Sequence, residues 1–189
     1  GESWLVVGLG NPGRRYARTR HNAGARAVER LSAELRARKL RTRAPALVAV
    51  GRLGDARVLI ARPATYMNES GDAVRPLMRL YETDVDNLIV VYDEIDLRAG
   101  MLRIRIGGGT AGHNGLTSVV QAIGDPGFYR VRIGVGRPPG NRDPAEWVLE
   151  KMPPAEAEQL EITEAAAGEA VRSIIVEGLE RAMNRFNQR

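Results

Sequence analysis

The feature that most constrains this chain is a repeated switch between short apolar runs and segments whose apolar residues recur at helical spacing. Trp4 to Val7 is an apolar run stopped by Gly8, the pattern of a buried first strand. Ala23, Ala27, Leu31 and Leu35 then repeat at four-residue intervals and predict a helix over 22–40. Ala46 to Val50 and Arg57 to Arg62 read as strands joined by a turn over Gly51 to Asp55. Val74, Leu77, Met78 and Tyr81 place a helix over Ser70 to Tyr81, and Asn87 to Tyr92 returns to a β-branched run that ends at the acidic stretch Asp93 to Asp96. Leu102, Ile104 and Ile106 alternate with Arg103 and Arg105, while Val131, Ile133 and Val135 alternate with Arg130 and Arg132. Helices are expected over Leu116 to Ile123 and Glu156 to Glu177. Such alternation builds strands covered by helices. Two strands with a charged face argue against a purely parallel sheet, whose strands are apolar on both sides. The expected architecture is therefore α/β, a single compact domain over 1–189 with a mixed twisted β-sheet flanked by helices. Gly140 to Pro144 and Pro153 to Pro154 frame either a mobile lid or ordinary helix ends.

Composition narrows the function classes. A chain of 189 residues, 43% of them hydrophobic, is long and apolar enough for a substantial core. No stretch approaches the roughly 18 consecutive apolar residues of a membrane span. The first apolar run lacks a basic leader, so a soluble cytoplasmic protein without a membrane partner is expected. The chain has no cysteine, which excludes disulfides, thiol nucleophiles and Cys-ligated zinc. Charge is unevenly spread: residues 14–57 carry 13 basic against 3 acidic side chains, a net +10, whereas residues 145–189 carry 5 against 9, a net −4. The basic region is either a phosphate-binding surface or a solvated helix and loop. No association seam stands out, and a monomer is expected.

Gly8, Gly10 and Gly13 satisfy the spacing G-x-G-x-x-G after a strand. In a dinucleotide-binding fold they would lead directly into a helix that receives pyrophosphate. Here Pro12 and the basic segment Arg14 to Arg20 intervene, and no acidic residue closes a following strand. The glycines and Pro12 are better read as a tight loop that holds Asn11 beside another group.

The two histidines, His21 and His113, are each followed by asparagine, Asn22 and Asn114. His21 immediately precedes the first helix, and a neutral imidazole there can take a proton from water. The alternative is a capping or hydrogen-bonded histidine. Asp93, at the end of an apolar strand, can hold one imidazole nitrogen so that the other accepts a proton, or it can simply cap a turn. Asn11, Asn68 and Asn114 lie in strand-exit or glycine-rich contexts, where an amide supplies both donor and acceptor. Singly each reads as a turn former; beside both histidines they suggest a polar cleft. No metal-site motif is present, since H-E-x-x-H and cysteine ligands are both missing, although His21, His113 and Asp93 are ligand types. The serines lack a G-x-S-x-G elbow, which favours water as a nucleophile.

Six blocks occur in order along nearly the whole chain: VGLGNPG from Val7, YARTRHNAG from Tyr16, TYMNESG from Thr65, DEIDL from Asp93, GGGTAGHNGL from Gly107 and YRVRIG from Tyr129. Together they resemble the bacterial peptidyl-tRNA hydrolase family. The resemblance implies hydrolysis of the ester between a peptide and the terminal ribose of tRNA, with peptidyl-tRNA as partner, no DNA and no cofactor or metal. It implies His21 as general base for water and Asp93 as the group that orients and polarises it. Asn68 and Asn114 match residues of substrate placement, Asn11 matches a contact near the scissile end, and Tyr16, Met67, Gly112 and His113 would line the same crevice. It places Arg103, Arg105 and Arg132 near tRNA phosphates, contacts suited to guanidinium groups. The family often has histidine where this chain has Thr110 and glycine where it has Ala111, so this loop is open to a different hydrogen bond or backbone shape. The chain beyond Arg185 is short relative to some relatives, and a longer tail's RNA contact is not expected. Two other classes fit parts of the sequence: a noncatalytic RNA-binding module, and a nucleotide-dependent oxidoreductase.

Overall fold

The computed structural model describes residues 2–187. Its strands are β1 (Ser3–Gly8), β2 (Arg38–Leu40), β3 (Ala46–Leu53), β4 (Ala56–Pro63), β5 (Leu88–Glu94), β6 (Leu102–Ile106) and β7 (Tyr129–Gly134). They form a seven-stranded sheet in the order β2-β3-β4-β1-β5-β7-β6. The centre is parallel, with β1 between β4 and β5 and β7 beside β5, while β2, β3 and β6 add antiparallel edges. The expected single α/β domain with a mixed sheet is thus the observed one. The helices are α1 (Ala23–Glu34), α2 (Gly71–Leu80), α3 (Asn114–Ile123), α4 (Pro144–Trp147), α5 (Pro154–Glu177) and α6 (Leu179–Phe186).

Helices on both faces explain why the central strands are apolar throughout. Trp4 and Val6 of β1 pack with α1, α5 and α6, together with Ile89, Val91, Val131 and Ile133. Leu5 and Val7 point the other way, towards Val74 and Leu77 of α2 and Leu116 and Val119 of α3. Each fully buried leucine on these faces contributes about 2 kcal/mol by removal from water. α1 crosses the sheet so closely that a Cβ on Gly8 would lie 2.3 Å from the Gly24 carbonyl oxygen, and one on Gly24 would lie 2.1 Å from that of Val91. These glycines therefore set the distance at which the start of α1, with His21 just before it, approaches β1 and β5.

The end of the first helix differs from the sequence expectation. The helix expected over 22–40 stops at Glu34, and Arg38 to Leu40 pair with β3 instead. Its end is a left-handed cap at Arg36 (φ 52°), with Ala37 N donating to the Ser32 carbonyl at 2.9 Å and Arg36 N to that of Ala33 at 3.1 Å. Glycine is the usual residue there, and its absence hid the stop. α4 and α6 are short helices of the largely helical last third whose limits the apolar spacing does not mark. The lid or helix-end segment resolves as helix ends: Asp143 accepts from Ala145 N at 3.0 Å to cap α4, and Pro153 precedes α5. Among the described residues no helix is long and apolar enough to cross a membrane.

Candidate active site

The carboxyl ends of β1 and β5 open beside the starts of α1 and α3, the usual position of a ligand crevice in an open α/β sheet. A cleft of about 580 Å³ lies there. Its lining includes Asn11, Tyr16, His21, Met67, Asn68 and Asp93, along with Gly112, His113 and Asn114. All nine residues expected in the crevice or as its catalytic pair are brought together.

Asp93 is the hub. It is 2% exposed at the end of β5, and its two carboxylate oxygens go to two histidines. Oδ2 lies 2.8 Å from His21 Nδ1, and Oδ1 lies 2.9 Å from His113 Nε2. The rings pack 4.9 Å apart, and Tyr92 meets His113 edge-on at 5.2 Å. His113 Nδ1 accepts from Leu116 N at 3.2 Å, capping α3, so its proton resides on Nε2 and is donated to Asp93. In His21 the Nδ1 proton is donated to Asp93 and Nε2 is left with a lone pair.

Burial lowers the basicity of His21, but the charge of Asp93 and its hydrogen bond outweigh that effect and raise the pKa above 6.5. For Asp93, burial opposes the charged form, yet attraction to both imidazoles and the hydrogen bonds from them hold it well below the usual carboxylate range. His21, Asp93 and His113 offer atoms within 4.8 Å of one another that a metal could use. Two hydrogen bonds through a shared carboxylate already account for that closeness.

The glycine loop after β1 fixes Asn11 as the sequence suggested. Asn11 Oδ1 accepts from Met67 N at 2.7 Å, and a reciprocal pair of 2.9 Å bonds joins its backbone to the Asn22 side chain. The Asn11 Nδ2 group is thereby turned to other use, while Asn68 and Asn114 present exposed amides at the cleft.

A family model described as peptidyl-tRNA hydrolase matches residues 5–189. The peptidyl-tRNA hydrolase of Mycobacterium tuberculosis is 49% identical over 187 residues, covering 98% of each chain. That of Mycobacterium ulcerans is 48% identical over the same length, again with 98% of each chain covered. The crystal structure of peptidyl-tRNA hydrolase from Acinetobacter baumannii superposes with a TM-score of 0.91 at 35% identity, over 98% of this chain and 94% of that one. The chain belongs to the peptidyl-tRNA hydrolase family.

This member of the family reaches its site geometry through several residues that the sequence reading did not single out. Asn22 is the clamp on Asn11; its signal was the position next to His21. Tyr66, Ile95 and the α4 segment wall the cleft. That wall is tied to His21, whose N donates to the Val148 carbonyl at 2.9 Å. Arg20, 5% exposed, makes two bonds to Glu156 at 2.6 and 2.7 Å, donates to the Trp147 carbonyl at 2.8 Å and stacks on the Trp147 ring. Ala111 lies in the left-handed region (φ 48°), a conformation that glycine adopts without a Cβ penalty. The loop keeps a strained turn with alanine in it.

The arginines of β6 and β7 share one sheet face. Arg103 is directly opposite Arg132, and Arg105 is opposite Arg130. This face is not simply solvated. Arg130 is wholly buried and donates to the carbonyls of Gly108, Gly109 and Pro126, holding the glycine loop before α3. Arg132 pairs with Glu94 at 3.1 Å, whereas Arg105 is exposed. None of the three arginines expected near phosphates lines the cleft.

Proposed function

We infer that this chain hydrolyses the ester joining a peptide to tRNA, with His21 as the base. The carrying observation is the unoccupied Nε2 of a histidine whose Nδ1 is fixed by a buried carboxylate, set in a cleft with three asparagines. The chain is an enzyme of translation that acts on a tRNA-linked substrate.

The reaction follows from the geometry. Water gives a proton to His21 Nε2 as its oxygen attacks the ester carbonyl carbon, and Asp93 stabilises the imidazolium that forms. An amide N–H of Asn11, Asn68 or Asn114 meets the developing oxyanion. The bond from carbon to ribose oxygen then breaks, and His21 returns the proton to that oxygen. The products are a peptide carboxyl group and tRNA with a free hydroxyl. Tyr16, Met67 and Gly112 line the channel for the peptide end, and His113 holds Asp93.

Four arginines stacked across β6 and β7 with one glutamate among them make a strongly positive face, which supports phosphate contacts by Arg103, Arg105 and Arg132. Arg105 is the freest of them; Arg132 would exchange part of its Glu94 pair for phosphate. The substrate is a product of translation, and we place the enzyme in the cytoplasm, acting as a monomer without a metal or other cofactor. The test is release of peptide from a defined peptidyl-tRNA, compared with uncharged tRNA binding. Turnover by the wild type that is lost in His21→Ala supports the reading. Salt-sensitive binding without turnover by the wild type would make this an RNA-binding protein instead.

A further inference from the structure

A second basic surface lies outside the cleft. Arg75 and Arg79 are four residues apart on α2 and so share one side of it. With Arg43 they line a groove of about 640 Å³ floored by Ala122 of α3. All three arginines are exposed, and among the described residues none joins an ion pair. Asp72 is the one acidic residue in the lining. Three guanidinium groups without a carboxylate partner thus converge on one groove.

We propose that this groove is a second contact site for the phosphate backbone of tRNA, distinct from the cleft and from the arginines of β6. The proposal rests on the function inferred above and names a further part of the substrate's footprint. Three features support it. First, α2 starts directly after the 3-10 turn Met67–Glu69 that carries Asn68 to the cleft. A helix of 10 residues is about 15 Å long, so the groove lies within a few nucleotides' reach of the ester.

Second, the two arginine groups face the same way. Leu102 and Ile104 pack into the core under α1, α5 and α6. Alternation along β6 therefore turns Arg103 and Arg105 to the opposite side, the side covered by α2 and α3. Between the two groups runs α3, NGLTSVVQAI, which carries no charge. An RNA strand crossing this face meets arginines at both margins and no acidic barrier on the helix between them.

Third, the opposite face repels the same ligand. α5 carries six glutamates against one arginine. On that face α5 offsets the arginines of α1, as in the Arg26–Glu164 pair at 2.9 Å, whereas Arg75 and Arg79 on α2 join no ion pair among the described residues.

The test is the binding of fluorescein-labelled uncharged tRNA by otherwise native enzyme across a salt series, for wild type and for Arg75→Ala/Arg79→Ala. These side chains are exposed on a helix and tolerate alanine. Loss of two phosphate contacts should weaken binding about tenfold at low salt and flatten the dependence of log affinity on log salt by about 2. Turnover of a peptidyl ester of a single nucleoside, which is too short to reach α2, should be unchanged. Unaltered affinity and slope would overturn the proposal, as would an equal loss on the short ester. Failure of the wild type to cleave peptidyl-tRNA would instead remove the parent reading, so the two failures are distinguishable.

Discussion

His21 and His113 begin as near twins. Each precedes an asparagine, each stands at the start of a helix, and each bonds one oxygen of Asp93. They differ in the second ring nitrogen. That of His113 accepts from Leu116 N and caps α3, so both of its nitrogens are engaged by the protein. In His21, the 3-10 turn Arg20–Asn22 feeds α1 without a side-chain cap, and Nε2 remains open. The comparison shows that an imidazole is left open to accept a proton as much by what it is spared as by what it touches. One carboxylate serves both rings, giving His21 its tautomer and taking its own position from His113.

The largest expected break of this comparison is His21→Ala, with kcat on peptidyl-tRNA falling roughly 1,000-fold or more if the open nitrogen is the base. Asp93→Asn comes next, with a loss of about 100-fold or more, because the amide can fix the wrong tautomer. The same variant tests the pH dependence. His21 must be neutral to act, and Asp93 raises its pKa, so wild-type activity should rise as pH passes an inflection above 6.5. In Asp93→Asn the raising influence is gone and burial is left, and a pH–rate profile should show the inflection at lower pH. The linked stability runs in two directions. The raised His21 contributes stability that is lost as pH climbs through its folded pKa, while depressed Asp93 contributes above its ordinary 3.8 and loses that contribution only as pH falls through its lower folded value.

His113→Ala sharpens the contrast. Its rate loss should be about tenfold, far below that of His21→Ala, while removal of the α3 cap should cost about 1 kcal/mol in denaturant unfolding. Equal rate losses in the two histidine variants would erase the distinction between base and holder. The smallest effect belongs to the loop that delivers His113. Ala111→Gly should relieve the left-handed strain and raise stability by about 0.5–1 kcal/mol with little change in kcat, read from unfolding midpoints and single-substrate kinetics.

Much of the fold was legible because local chemistry and global burial agree. Trp4 to Val7 and Asn87 to Tyr92 are apolar on both sides, and both became central strands. The agreement fails where local signals are weak. The end of α1 is capped by Arg36 in place of a glycine, and the three-residue strand β2 has no pattern of its own; it exists through pairing with β3. Arg130 read as part of an alternating charged face, but its guanidinium is buried under three carbonyls of the glycine loop and of Pro126, a destination 4 to 22 residues away that alternation does not encode.

By itself the sequence determined the α/β class, the apolar faces, the family and the set of chemical groups in the cleft. Those properties follow from residue type, period and the order of motifs, all of them local along the chain. Tertiary structure alone decided which nitrogen is left open, that Asp93 serves two rings, and that Arg20 ties the wall of the cleft to the segment bearing His21. Each depends on distances between residues up to 136 apart in sequence. It also set charge on opposite sides of the sheet, because β6 and α2 present their arginines to one side and α5 its glutamates to the other.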